Sequence, residues 1–257
     1  MLKKRLIFNL LYENKTFHLS RNFRLQKVGN LEWLKKNYNF GLITKSVDEI
    51  VLLNISRDKK QNINDFLNTI KEFVKDCFIP LSVGGKIDSI DIAKKYIKNG
   101  ADKLVINTNL FNTNLIKDLS KTFGKQCLIG SIDYKLDNLG KIQVFHENAT
   151  LKNKNNFNFI INKINKLQIG ELMLNSIDQD GTGQGFNFEI LKKLPKKFDK
   201  PIIFSGGAGN YLHLVSAFQK KEIDAVATAN LLNFVGNGLQ EARKKIIANG
   251  IELARWD

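Results

Sequence analysis

Two glycine pairs, Gly84-Gly85 and Gly206-Gly207, sit where backbone chemistry is expected. Glycine adopts positive φ and lets N–H groups approach a ligand closely, and phosphate is the usual ligand of such turns. Thr108 and Asn109 follow the first pair, and Ala229 and Asn230 follow the second, so each half of the chain offers one anion cradle. A ligand with a phosphate at each end would need that arrangement; plain tight turns would use the same glycines. Asp133 closes an apolar run, a position suited to acid/base work. Asn107 and Ser205 close two others. The stretch Asn175-Ser176-Ile177-Asp178-Gln179-Asp180-Gly181-Thr182-Gly183 is polar, and its aspartates serve either ligand contact or turn formation. His18, His146 and His213 lie far apart and no Cys/His cluster has ligand spacing, so neither a metal nor a cofactor is expected.

These residues need a frame. Short apolar runs predict strands at Arg5–Leu11, Glu49–Asn54, Ile79–Val83, Lys103–Asn107, Cys127–Asp133, Glu171–Asn175, Pro201–Ser205 and Asp224–Thr228. Helical spacing predicts helices at Ser89–Asn99, Thr113–Phe123, Phe157–Lys166, Phe188–Leu194 and Tyr211–Phe218. Eight strands alternating with helices imply parallel pairing, and a chain of 257 residues suits one closed (βα)8 TIM barrel, an α/β fold. An internal repeat supports it: one offset, 122 residues, carries Gly84 onto Gly206 and Asp102 onto Asp224. The chain therefore reads as a single domain, 1–257, of two (βα)4 half-barrels, roughly 1–122 and 123–257. In that register Leu11 falls opposite Asp133. The catalytic end of such a barrel is the C-terminal end of its strands, where the residues above lie.

Composition narrows the field. With 40 Lys+Arg against 25 Asp+Glu, the net charge is +15. Lysine dominates and is scattered along helix faces, whereas nucleic-acid readers favour Arg, so no nucleic acid is expected. The 43% hydrophobic content supports a large core. No 18-residue apolar run exists, so no membrane span is expected, and the basic start reads as a first strand rather than a signal peptide. Cys77 and Cys127 read as reduced thiols of a cytoplasmic protein. The stretch Tyr12–Gly29 reads as a loop, in which Arg21, Arg24 and Lys27 either meet an anion or face water.

Four segments carry a resemblance: PLSVGGKIDSIDIAKKYIKNGADKLVIN (Pro80–Asn107), FGKQCLIGSIDYK (Phe123–Lys135), GELMLNSIDQDGTGQG (Gly170–Gly185) and SGGAGN (Ser205–Asn210). Together they resemble the HisF family, the cyclase subunits of imidazole glycerol phosphate synthase. The resemblance implies a two-half barrel that docks a HisH-like glutaminase at its base. Ammonia would pass along the axis to a substrate with two phosphates at the top. It implies an ammonia gate of Arg5, Glu49, Lys103 and Glu171, and partner-facing positions at Asp102 and Gln126. It also implies ligand or phosphate contacts from Gly84, Gly85, Asn107, Thr108, Asn175, Asp178, Gly181, Ser205, Gly206, Gly207, Ala229 and Asn230.

The departures are at the top. The family's chemistry resembles acid/base work by two aspartates; one matches Asp133, but the other position is Leu11, which transfers no proton. The family's loop lysine falls on Leu19, and its aspartate after the second strand falls on Asn54. An intact gate beside a damaged acid/base pair looks like the HisF-like (WbuZ-like) subunits associated with amidation of surface-polysaccharide sugars. These deliver ammonia towards an ATP-dependent sugar amidotransferase. The alternative is a cyclase subunit of histidine biosynthesis that tolerates Leu11.

Overall fold

In the computed structural model, which describes residues 3–37, 43–58, 61–229 and 238–254, the runs of Ile, Leu and Val form strands, as the β-branched Ile and Val and burial on both faces dictate. Eight of them pair in parallel: β1 (Arg5–Glu13), β4 (Glu49–Asn54), β5 (Leu81–Gly84), β6 (Lys103–Ile106), β7 (Leu128–Leu136), β10 (Glu171–Ser176), β11 (Ile202–Ser205) and β12 (Ala225–Thr228). Pairing of β12 with β1 and of β7 with β10 closes the barrel. The expected (βα)8 architecture is therefore present. Among the described residues no helix is long and apolar enough to cross a membrane.

Alternation along each strand separates two cores. One face supplies Ile7, Val51, Val105, Ile129, Met173, Ile203, Ala225 and Ala227, which fill the barrel interior. The other supplies residues such as Leu6, Phe8, Leu52, Leu104, Leu172 and Phe204, which pack beneath the helices. Those helices are α1 (Leu31–Asn37), α2 (Ile63–Asp76), α3 (Ile90–Lys98), α4 (Thr113–Phe123), α5 (Phe157–Asn165), α6 (Tyr211–Phe218) and α7 (Gly238–Ala248). Asparagine opens several of them: the side chains of Asn62, Asn112, Asn156 and Asn210 accept hydrogen bonds from first-turn N–H groups.

Two expectations are corrected. The segment Phe188–Leu194 is not a helix; only a 3₁₀ turn, Leu191–Lys193, forms there. An Asx turn from Asn187 to Glu189 N and the proline at 195 bracket it, and Phe186 and Phe188 pack against Phe204 instead of following a helical register. The stretch 12–29 is not a loop but a continuation of β1 into an antiparallel hairpin, β2 (Thr16–Arg21) and β3 (Arg24–Gly29). β7 likewise runs on into β8 (Ile142–His146), which pairs with β9 (Leu151–Lys152). Each half thus opens with a strand that overshoots the rim.

Candidate functional site

The floor of the barrel is a closed ring of charge. Arg5, Glu49, Lys103 and Glu171 each begin a strand, and parity with the interior residues turns all four inward. Arg5 Nη1 lies 2.8 Å from Glu49 Oε2, and Arg5 also pairs with Glu171. Lys103 Nζ lies 3.0 Å from Glu49 Oε2 and 2.8 Å from Glu171 Oε1. Ser82, which sequence reasoning passed over, donates its hydroxyl to Glu49 Oε1. Two cations and two anions alternate around the axis, so the ring is neutral and every charge has two opposite neighbours. Burial alone would raise the Glu171 carboxyl, but Arg5 and Lys103 outweigh it and hold it below the ordinary range. Burial would lower Arg5 as well, and Glu171 with Glu49 outweighs that. Above the ring the apolar interior layer begins. On β4 it is Leu53, not Asn54, that shares the inward face with Glu49.

Of the two residues assigned to the base, Gln126 is exposed before β7. Asp102 is exposed but has a structural task, its Oδ2 accepting from Leu81 N at 2.8 Å. Asp48 and Asp224 do the same for Leu6 N and Ile202 N, so the motif fastens neighbouring strand starts around the base.

The mouth is divided. On the β1 and β4 side the inward positions are Leu11 and Leu53; on the β6, β7, β10 and β11 side they are Asn107, Asp133, Asn175 and Ser205. Asp133 is buried, and its two oxygens accept from Asn107 Nδ2 and Asn175 Nδ2, both at 3.1 Å. These two asparagines, assigned to ligand contact in the sequence, are holding the carboxylate. Burial pushes Asp133 up to about 7, against the two amide hydrogen bonds, and nearby Asp180 adds to the rise. A carboxyl poised there exchanges a proton at neutral pH, as a general acid or base must. One layer down, Asn9 Nδ2 donates to Ser205 Oγ at 3.3 Å, and Asn9 Oδ1 is buried without a partner.

The β2–β3 hairpin folds over the C-terminal half of the mouth. Ser20 donates to Asp180 Oδ2, which also accepts from Phe23 N at 3.0 Å, and Asn22 N donates to Asp180 O at 2.8 Å. Asp178 instead fastens Leu136 N at 2.9 Å. Gly181, at φ 65°, passes so close that a Cβ there would lie 2.0 Å from Ser20 O. Gly181→Ala is therefore expected to lift the hairpin, at a cost of about 1–3 kcal/mol. Hydrogen exchange at Asn22 and Phe23 reads this out: exchange accelerates by at least tenfold if the contact holds the hairpin down and is unchanged if it does not.

Beneath the hairpin is a cavity of about 220 Å³ lined by Ser205, Gly206, Gly207, Thr228 and Ala229 together with Arg21 and Arg24. Gly206 and Gly207 have φ of 94° and 121°, and a Cβ on Gly207 would meet Gly185 O at 2.1 Å. In the other half Gly85 has φ 96°, and a Cβ would meet Asn54 O at 2.0 Å; Gly84 is hemmed in by Leu53 and Val105. Close backbone packing therefore requires these glycines whatever else they do. Thr108 is exposed at the start of a 3₁₀ turn. Asn230 lies outside the described residues.

The pattern of the histidine biosynthesis proteins matches residues 37–236. A provisionally named imidazole glycerol phosphate synthase subunit hisF2 of Parasynechococcus marenigrum is 41% identical, over 100% of this chain and 95% of the relative. The imidazole glycerol phosphate synthase subunit HisF of Chlorobaculum parvum is 33% identical over 98% of each chain. That of Methanococcus maripaludis strain C5 is 32% identical over 98% of this chain and 99% of its own.

Proposed function

This chain belongs to the histidine biosynthesis protein family as a HisF-like subunit, and on that premise we propose that it is the ammonia-using cyclase subunit of an imidazole glycerol phosphate synthase, paired with a HisH-like glutaminase at its base. The sequence alone ranked sugar amidation first; the names of relatives 31–41% identical favour cyclisation instead. The single observation that carries the reading is the closed ring of Arg5, Glu49, Lys103 and Glu171 beneath an apolar interior and a neutral-range carboxyl. Ammonia, uncharged, crosses the apolar layer at far lower cost than ammonium, so the ring hands on the neutral species. Asp133 moves the proton that ring closure requires. Gly84-Gly85 with Thr108, and Gly206-Gly207 with Ala229 and Asn230, seat the two phosphates. Asp102 and Gln126 face the glutaminase, and the chain works in the cytoplasm.

A second reading keeps the ring and moves the chemistry elsewhere. Leu11 and Leu53 make half of the mouth apolar and put no carboxylate on the β1 and β4 side to face Asp133. That favours release of ammonia to an ATP-dependent amidotransferase acting on a surface-polysaccharide sugar. One assay separates the readings: the family's bisphosphorylated ribulosyl aminoimidazole carboxamide substrate is supplied with an ammonium salt, with no glutaminase. Formation of imidazole glycerol phosphate by the native chain is expected, with a further rise in Leu11→Asp. No product from the native chain, with product restored in Leu11→Asp, would overturn the cyclase reading in favour of ammonia delivery.

A further inference from the structure

Arg21 and Arg24 stand directly opposite each other across the two-residue turn of the hairpin. The turn residues Asn22 and Phe23 have φ of 51° and 62°, which brings the strands together tightly. Like charges paired across two strands are destabilising, and among the described residues neither guanidinium has a carboxylate partner. Both nevertheless line the cavity over Gly206 and Gly207, held there by the contacts of Asp180 with Ser20, Asn22 and Phe23. Asp180 lines the same cavity, but its Oδ2 is taken up by Ser20 and Phe23 N. A second observation points to a ligand: Thr228, 3% exposed, lines the same space, and its buried hydroxyl has no hydrogen-bond partner.

We propose that Arg21 and Arg24 form a two-guanidinium clamp that closes on a dianionic phosphate monoester seated on the Gly206-Gly207 turn. It would select such a group over singly charged phosphodiesters and carboxylates. The inference rests on the reading of that turn as a phosphate seat and assigns the selectivity to the hairpin. Two planar forks reach two edges of a phosphoryl group, and its double charge removes the repulsion between them. The Thr228 hydroxyl supplies a further donor to the same group.

The test uses the full chain and inorganic phosphate, followed by backbone amide shifts. In the native chain the Gly206 and Gly207 amides are expected to shift on titration. The double substitution Arg21→Gln/Arg24→Gln is expected to weaken that site about tenfold or more. Arg21→Lys/Arg24→Lys, which keeps the charges but loses the forks, is expected to fall between the two. Both residues are exposed, so the fold tolerates the changes. Unchanged affinity in the glutamine variant would overturn the clamp and leave the phosphate seat standing. Absence of any shift at Gly206 and Gly207 in the native chain would overturn the clamp and the seat together.

Discussion

Replacing Asp133 by Asn is expected to cut ammonium-driven turnover by about 10²–10⁴-fold while making the protein more stable at alkaline pH. The activity loss follows because Asp133 is the one carboxyl on the inward face of the described mouth that two amides hold in place. Turnover that uses it as a base should rise through pH of about 7, where burial has moved it. The stability gain has the same origin. The folded state holds the Asp133 proton up to a pKa of about 7, against 3.8 for an ordinary aspartate. Its contribution to stability is thus fully present below pH of about 4 and is lost as pH rises through 7. At 1.36 kcal/mol per pKa unit, the cost of ionising it in place is on the order of 4 kcal/mol well above pH 7. Asparagine keeps the shape and never ionises; it gives up one of the two amide hydrogen bonds, because its Nδ2 cannot accept, which offsets part of the gain. Denaturant melts at pH 5 and pH 9 check this: the variant's gain over the native chain should be clearly larger at pH 9 than at pH 5, and the same difference at both would refute the burial account.

Glu49→Gln is expected to cost about 3–5 kcal/mol, because it leaves Arg5 and Lys103 with Glu171 as their one remaining carboxylate on the barrel floor. For a chain of this size that corresponds to a fall of roughly 6–20 °C in Tm. The Glu49 side chain is 2% exposed, so water does not replace the lost anion. The exposed pair Lys192–Glu189, at 2.6 Å with both side chains more than half exposed, is the control: Lys192→Ala should stay within about 0.5 kcal/mol. A Tm drop no larger than that of the control would mean that the ring is a solvated cluster.

What was legible in the sequence, and what was not, follows from where the information lies. The barrel strands were readable because both faces are buried, which turns Leu6–Leu10 and Leu172–Leu174 into nearly unbroken apolar runs. The ring was suggested by its four charges at strand starts, but its closure depends on residues up to 166 positions apart. The hairpin was missed because its turn is Asn22-Phe23, without the glycine that usually marks such a turn. Its arginines could be noticed as charges but not aimed. Asn107 and Asn175 were assigned to ligand contact because they end strands at the catalytic rim; parity does not reveal that both amides converge on Asp133. The buried hydroxyls of Ser82 and Thr228 left no local signal, being short polar residues inside strands.

The most direct test of the account follows a nitrogen atom. The chain is paired with a HisH-like glutaminase and given amide-¹⁵N glutamine, the bisphosphorylated substrate and a large excess of unlabelled ammonium. If ammonia enters through the Arg5–Glu49–Lys103–Glu171 ring and is consumed at Asp133, the imidazole glycerol phosphate formed early in the reaction carries ¹⁵N well above the bulk isotope ratio. Product at the bulk ratio, or no product at all, would contradict it.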